Sequence, residues 1–118
     1  MRLNMTTGRD LVKGSTDSLV LYLISEKPMY GYQIIKELEK KSQGYFKFKE
    51  GTLYPALHRL ENTGLIESQW EILPGGRNRR YYHITTKGQR TLAEKRSQWR
   101  DFLVAINLVL QPGTSDAR

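Results

Sequence analysis

A chain of 118 residues holds one domain and is too short for two ordinary ones, so function must come from one small core or from an oligomer. Without cysteine there are no disulfides, thiolate catalysis or cysteine metal sites, and His58 and His83 are too few for a histidine cluster; neither a metal nor a cofactor is expected. No apolar run nears the roughly 20 residues that span a bilayer, and no secretory h-region follows Arg2, so a cytoplasmic location is expected; 19 Lys+Arg against 12 Asp+Glu (net +7) suit a polyanionic partner.

Residues 1–10 carry little pattern and read as an N-terminal arm. Ser15, Thr16 and Asp17 are good N-cap residues ahead of Leu19 to Ile24, a run too uniform for periodicity to separate strand from helix. The caps and the break at Glu26-Lys27-Pro28 favour a helix, one that can begin upstream near Asp10. Met29-Tyr30-Gly31 reads as a connection into a second helix, Tyr32 to Lys41, with Ile34, Ile35 and Leu38 inward and Lys36, Glu37, Glu39 and Lys40 outward. Ser42-Gln43-Gly44 ends it. Tyr45 to Phe48 is an aromatic connector, although the alternation of Phe46 and Phe48 also fits a minor strand.

The stretch from Glu50 to Gly64 is the most informative in the chain. Leu53, Ala56, Leu57 and Leu60 fall at i, i+3, i+4 and i+7, the spacing of one apolar helical stripe. Thr52, Tyr54, Pro55, His58 and Arg59 project elsewhere and form a surface of hydrogen-bonding, aromatic and cationic groups instead of a plain solvated face. Pro55 is acceptable only in a first turn, which predicts a start near Gly51 or Thr52. Gly64 suits the left-handed residue just past a helix end.

Leu65 to Ile72 and Arg79 to Thr85 are β-favoured by composition, and Leu73 to Asn78 is a flexible turn, so together they predict a hairpin. Arg77, Arg79 and Arg80 crowd its tip beside Gly75-Gly76, which is more cation than a turn requires. Tyr81 and Tyr82 must face opposite sides, one inward and the other free to pair with Trp70 or to meet a partner. Thr85 or Thr86 then caps a long final helix with Leu92, Trp99, Phe102, Leu103, Ile106, Val109 and Leu110 on one side. Leu92, Trp99 and Ile106 are seven apart, a heptad seam longer than so small a core needs, which predicts a homodimer with an isologous helix contact.

Three helices followed by a two-stranded wing make a winged helix-turn-helix, mainly α with a small β-hairpin, plus a C-terminal dimerisation helix. The expected divisions are an arm at 1–10, the DNA-binding unit at 11–85, the dimerisation helix at 86–111 and a disordered tail at 112–118. The third helix would offer Thr52, Tyr54, Pro55, His58 and Arg59 to a major groove, with Lys49 as a nonspecific phosphate contact and Arg77, Arg79 and Arg80 following the flanking backbone. Blander roles stay open: Tyr54 as a half-buried ring on the second helix, Arg59 in an ion pair, and Trp99 as an interface anchor.

The order of Lys13-Gly14, Met29-Tyr30-Gly31-Tyr32, Gly51-Thr52-Leu53-Tyr54-Pro55-Ala56-Leu57, Arg59-Leu60-Glu61, Gly64-Leu65-Ile66, Gly76-Arg77 and Arg79-Arg80-Tyr81-Tyr82, with Ile84-Thr85 leading to Gly88, resembles the compact PadR-like transcriptional regulators. The resemblance implies a dimeric repressor on a palindromic duplex operator, paired through the helix Thr86 to Leu110. In multidrug-responsive members an aromatic residue of that helix lines a cavity between subunits and stacks on flat hydrophobic ligands. Trp99 stands at the matching place, eleven residues after Gly88, with Phe102, Leu103, Ile106 and Leu110 along the seam and Arg96, Arg100 and Asp101 flanking it. The competing reading is an adaptor module that turns the same helix to an acidic protein. An enzyme ranks last, because no nucleophile-base pair or phosphate-cradling loop is present.

Overall fold

The computed structural model describes residues 8–112, with side chains from residue 15 onward. The elements run α1 Gly8–Glu26, β1 Met29–Tyr30, α2 Gly31–Lys41, α3 Glu50–Asn62, β2 Ile66–Ile72, β3 Asn78–Ile84 and α4 Thr86–Leu110. Val20, Leu23 and Ile24 of α1 pack with Ile34 and Leu38 of α2 and with Leu53, Leu57 and Leu60 of α3. Met29, Ile66 and Tyr82 close this core from the sheet, and Leu92 closes it from α4.

The first helix corrects the reading of its caps. Ser15, Thr16 and Asp17 lie well inside α1, where Ser15 and Thr16 are buried, and Lys13-Gly14 belongs to the helix instead of preceding it. Cap preference reflects a local side-chain bond to the backbone, and a residue type that can make one does not have to. Of the expected arm, residues 8–10 are helical and the rest lies outside the described residues, as does the tail beyond Pro112.

Met29 and Tyr30 form more than a connection. They pair antiparallel with β3, Met29 opposite Tyr82 and Tyr30 opposite Tyr81, giving a three-stranded sheet of order β1-β3-β2. Phe46 and Phe48 join no strand; their rings pack 5.9 Å apart, with Phe48 buried against the core. The hairpin register runs from Ile66 opposite Ile84 to Ile72 opposite Asn78. Its turn closes where the Leu73 amide donates to the Arg77 carbonyl at 2.7 Å, and Gly75 and Gly76 take φ of +91° and +84°, positions that favour glycine.

α3 begins at Glu50, earlier than the proline suggested, so Pro55 sits in the second turn. The acceptor it leaves without a donor is the carbonyl of Gly51, an exposed residue, so water can take its place. Gly64, with φ of +78°, turns the chain from α3 into β2. The Thr85 hydroxyl donates to the Gly64 carbonyl at 2.7 Å and accepts from the Gly88 amide at 3.0 Å, capping α4 as expected. A Cβ at Gly88 would collide with the Leu65 carbonyl, so the first turn of α4 lies hard against the start of the hairpin. Lys87 adds a bond from its ammonium to the Thr63 carbonyl at 2.8 Å, at the end of α3.

Beyond Trp99, α4 leaves the globule. Every residue from Arg100 to Leu110 is exposed, and the longest dimension of the chain is 67 Å against 28 and 27 Å for the others.

Candidate nucleic-acid interface

The two faces of α3 separate cleanly. Leu53, Ala56, Leu57 and Leu60 are buried, while Thr52, Tyr54, Pro55, His58 and Arg59 are all exposed. Lys49, exposed, is the N-cap residue, and no side chain caps that end. Tyr54 lies against the first residue of α2, where a Cβ at Gly31 would collide with its hydroxyl and ring carbons. Gly31 therefore makes room for the recognition-helix tyrosine. The packing half of the alternatives left open for Tyr54 is present, and 44% of the residue still faces solvent.

Two of the expected cations are held by carboxylates. Arg59 reaches α1, donating from Nε to Asp17 Oδ2 at 3.2 Å and from Nη2 to Oδ1 at 2.8 Å, and these bonds raise its pKa above the ordinary arginine value. Arg80 donates from Nε to Ser68 Oγ at 2.9 Å and from Nη2 to both oxygens of Glu61 at 3.3 Å. Ser68 donates in turn to Glu61 Oε2 at 2.6 Å.

The remaining wing arginines sit differently. Arg79 lies over the Tyr30 ring, 4.1 Å from its centroid, and Tyr30 meets Tyr81 edge to face at 5.4 Å. Arg77 is exposed at the turn. Tyr82 is the tyrosine that packs inward, and burial pushes its phenol up from the usual range, with Arg80 opposing the shift. Trp70 stands opposite Arg80 in the register, so its cross-strand neighbour is a guanidinium and neither tyrosine. Asp17, Glu61, Ser68, Tyr30 and Gly31 support the site without having been singled out in the sequence. Glu61 alone had a local hint, since it closes the Arg59-Leu60-Glu61 segment.

Away from this face, a pocket of about 630 Å³ opens between α1 and α4. Leu19, Tyr22, Phe46, Leu92, Trp99 and Leu103 form its apolar lining, and Lys95, Arg96 and Arg100 its cationic edge. Trp99 is half-buried and packs edge to face on Phe102 at 5.6 Å, while the Arg96 guanidinium lies 5.0 Å from the Tyr22 ring centroid. Phe102 borders an adjoining pocket of about 330 Å³. Ile106 and Leu110 lie farther along the exposed end of the helix. Among the described residues no group of His, Asp and Glu could hold a metal ion, and no helix is long and apolar enough to cross a membrane.

Helices α1 to α3 and the β2–β3 hairpin constitute a winged helix-turn-helix, the architecture of a class of DNA-binding regulators, here extended by α4. Residues 20–94 match the model of the transcriptional regulator PadR-like family. The transcriptional regulator Rv3488 of Mycobacterium tuberculosis is 34% identical over 88 residues, covering 75% of this chain and 78% of its own length. The crystal structure of a PadR-like transcriptional regulator from Bacillus cereus aligns with a TM-score of 0.77 at 34% identity, over 87% of this chain and 98% of that one. A transcriptional regulator from Clostridium thermocellum aligns with a TM-score of 0.78 at 33% identity, over 86% and 99%. The chain belongs to the PadR-like family and is a DNA-binding transcriptional regulator; its relatives are regulators and not enzymes.

Proposed function

We propose that the protein is a homodimeric repressor that occupies a palindromic operator and leaves it when a flat hydrophobic ligand binds beside Trp99. The observation that carries this reading is the bare end of α4. Phe102, Leu103, Ile106, Val109 and Leu110 lie on one heptad seam and are all exposed in a single chain, a surface that a second copy can cover by an isologous contact. Two copies so joined would offer two recognition helices to one face of a duplex, about one helical turn or roughly 34 Å apart.

On each half-site, α3 turns Thr52, Tyr54, Pro55, His58 and Arg59 to the major groove, Lys49 stands at its N-terminus, and the wing arginines run along the flanking backbone. The apolar pocket beside Trp99 supports the ligand half of the reading. Its occupant can release DNA only by preferring a dimer whose recognition helices are wrongly spaced. A mobility-shift assay with the DNA upstream of the protein's own gene tests the whole. The expected result is a shift at moderate salt that random duplex does not compete, reversed by a planar aromatic ligand that quenches Trp99. Equal affinity for random duplex would overturn the operator reading, and binding of an acidic protein with DNA never bound would replace it with the adaptor.

A further inference from the structure

We infer that Arg80 is a positioning residue: it clamps the hairpin to the recognition helix, leaving Arg77 and Arg79 to meet the flanking phosphates. The inference rests on the proposed contact of the wing with DNA. The three wing arginines lie within four positions but have three different surroundings. Arg77 is exposed at the turn, and Arg79 lies over Tyr30. Arg80, on the opposite side of β3 from Arg79 as strand alternation requires, turns back toward α3.

There it ties three elements at one carboxylate. Glu61 belongs to the last turn of α3, Ser68 to β2 and Arg80 to β3, and Glu61 accepts from both of the others. The guanidinium also lies 5.9 Å from the Trp70 ring centroid and 5.7 Å from that of Tyr82, so its plane is bounded by aromatic rings as well as by hydrogen bonds. The side chains of Arg80 and Glu61 are 43% and 30% exposed, so this pair adds little to global stability. Its effect is directional. A planar fork bonded to a carboxylate and a hydroxyl fixes an angle that a lysine would not. If Arg80 swung to a phosphate, it would leave the Glu61 charge behind and facing the same polyanion.

This arrangement makes Glu61 the discriminating position. Were Arg80 a phosphate ligand, Glu61→Gln would free it and remove a repulsive charge, so DNA binding would tighten. As a clamp, the same change loosens the wing and weakens binding even though the protein becomes more positive.

The test uses the full-length protein and a duplex enriched by the wild type from a random-sequence pool. Glu61→Gln and Arg80→Ala should each weaken binding roughly tenfold with the salt slope of the wild type, and the double variant should be no weaker than either. Arg77→Ala should lower the slope by about 0.9, as the loss of one phosphate contact does. Without DNA, hydrogen exchange at the Trp70, Ile72 and Arg80 amides should quicken in Glu61→Gln and Arg80→Ala and stay unchanged in Arg77→Ala. Tighter binding by Glu61→Gln, a slope reduced by about one in Arg80→Ala, or unchanged wing exchange in Glu61→Gln would each overturn the inference. A pool that yields no preferred duplex would count against operator binding itself, and wing exchange would still decide the clamp.

Discussion

Tyr54 of the recognition helix rests on Gly31, the first residue of α2, at a distance that admits no side chain between them. Alanine is the better helix former by up to about 1 kcal/mol, so propensity alone would make Gly31→Ala stabilising. Overpacking costs about 1–3 kcal/mol and should win. Urea unfolding is expected to show a net loss for Gly31→Ala that largely disappears in the Gly31→Ala/Tyr54→Ala double variant. A single variant as stable as the wild type would mean that the tyrosine can move aside freely.

The Asp17–Arg59 pair is half-exposed on both sides, so breaking it should change stability by no more than about 1 kcal/mol. Its larger effect is expected on DNA. Asp17→Asn releases the guanidinium on the outer face of α3, and binding should strengthen severalfold with a salt slope steeper by up to about 0.9. Affinity and slope both equal to the wild type would remove Arg59 from the list of phosphate contacts.

Buried Tyr82 gives stability a dependence on alkaline pH. Its folded pKa is raised above the unfolded value of about 10, so the folded state favours the neutral phenol. That contribution is complete below the unfolded pKa and is lost as pH rises through the folded one. The urea midpoint should therefore fall more steeply above about pH 10 in the wild type than in Tyr82→Phe. Parallel midpoints would place the alkaline sensitivity elsewhere.

Leu103 is 52% exposed in the single chain, so a charge there should leave the winged domain folded while spoiling the proposed seam. Sedimentation of Leu103→Glu is expected to give a monomer whose operator affinity is lower by a factor of roughly 10² or more, since the two half-sites are no longer bound as one event. An unchanged sedimentation coefficient would refute pairing through this face.

Legibility in the sequence followed the range of the interaction. The two faces of α3 could be read from spacing because helical periodicity sorts neighbours, and the bounds of α4 because Thr85 and Pro112 bracket it. β1 escaped because two residues have no period to detect; its pairing partner, β3, lies some fifty positions away. The same distance hides the partners of Arg59 and Arg80. Nothing local to Asp17 says that it faces α3, and a cluster of Ser, Thr and Asp carries the same caps signal whether the backbone uses it or continues as helix. Candidate contact residues were thus visible, but the salt bridges that restrain two of them were not.

The seat of Gly88 against Leu65 also has a mechanical meaning. With Thr85 bound to Gly64 and Lys87 to Thr63, the base of α4 and the end of the recognition helix form a single rigid joint with no slack segment between them. A helix of 25 residues is about 37 Å long, so a tilt of about 5° at that joint corresponds to about 3 Å at the far tip. α4 is in this sense a long lever on a short fulcrum: torque applied near Trp99 is delivered to α3 instead of being absorbed by a loop.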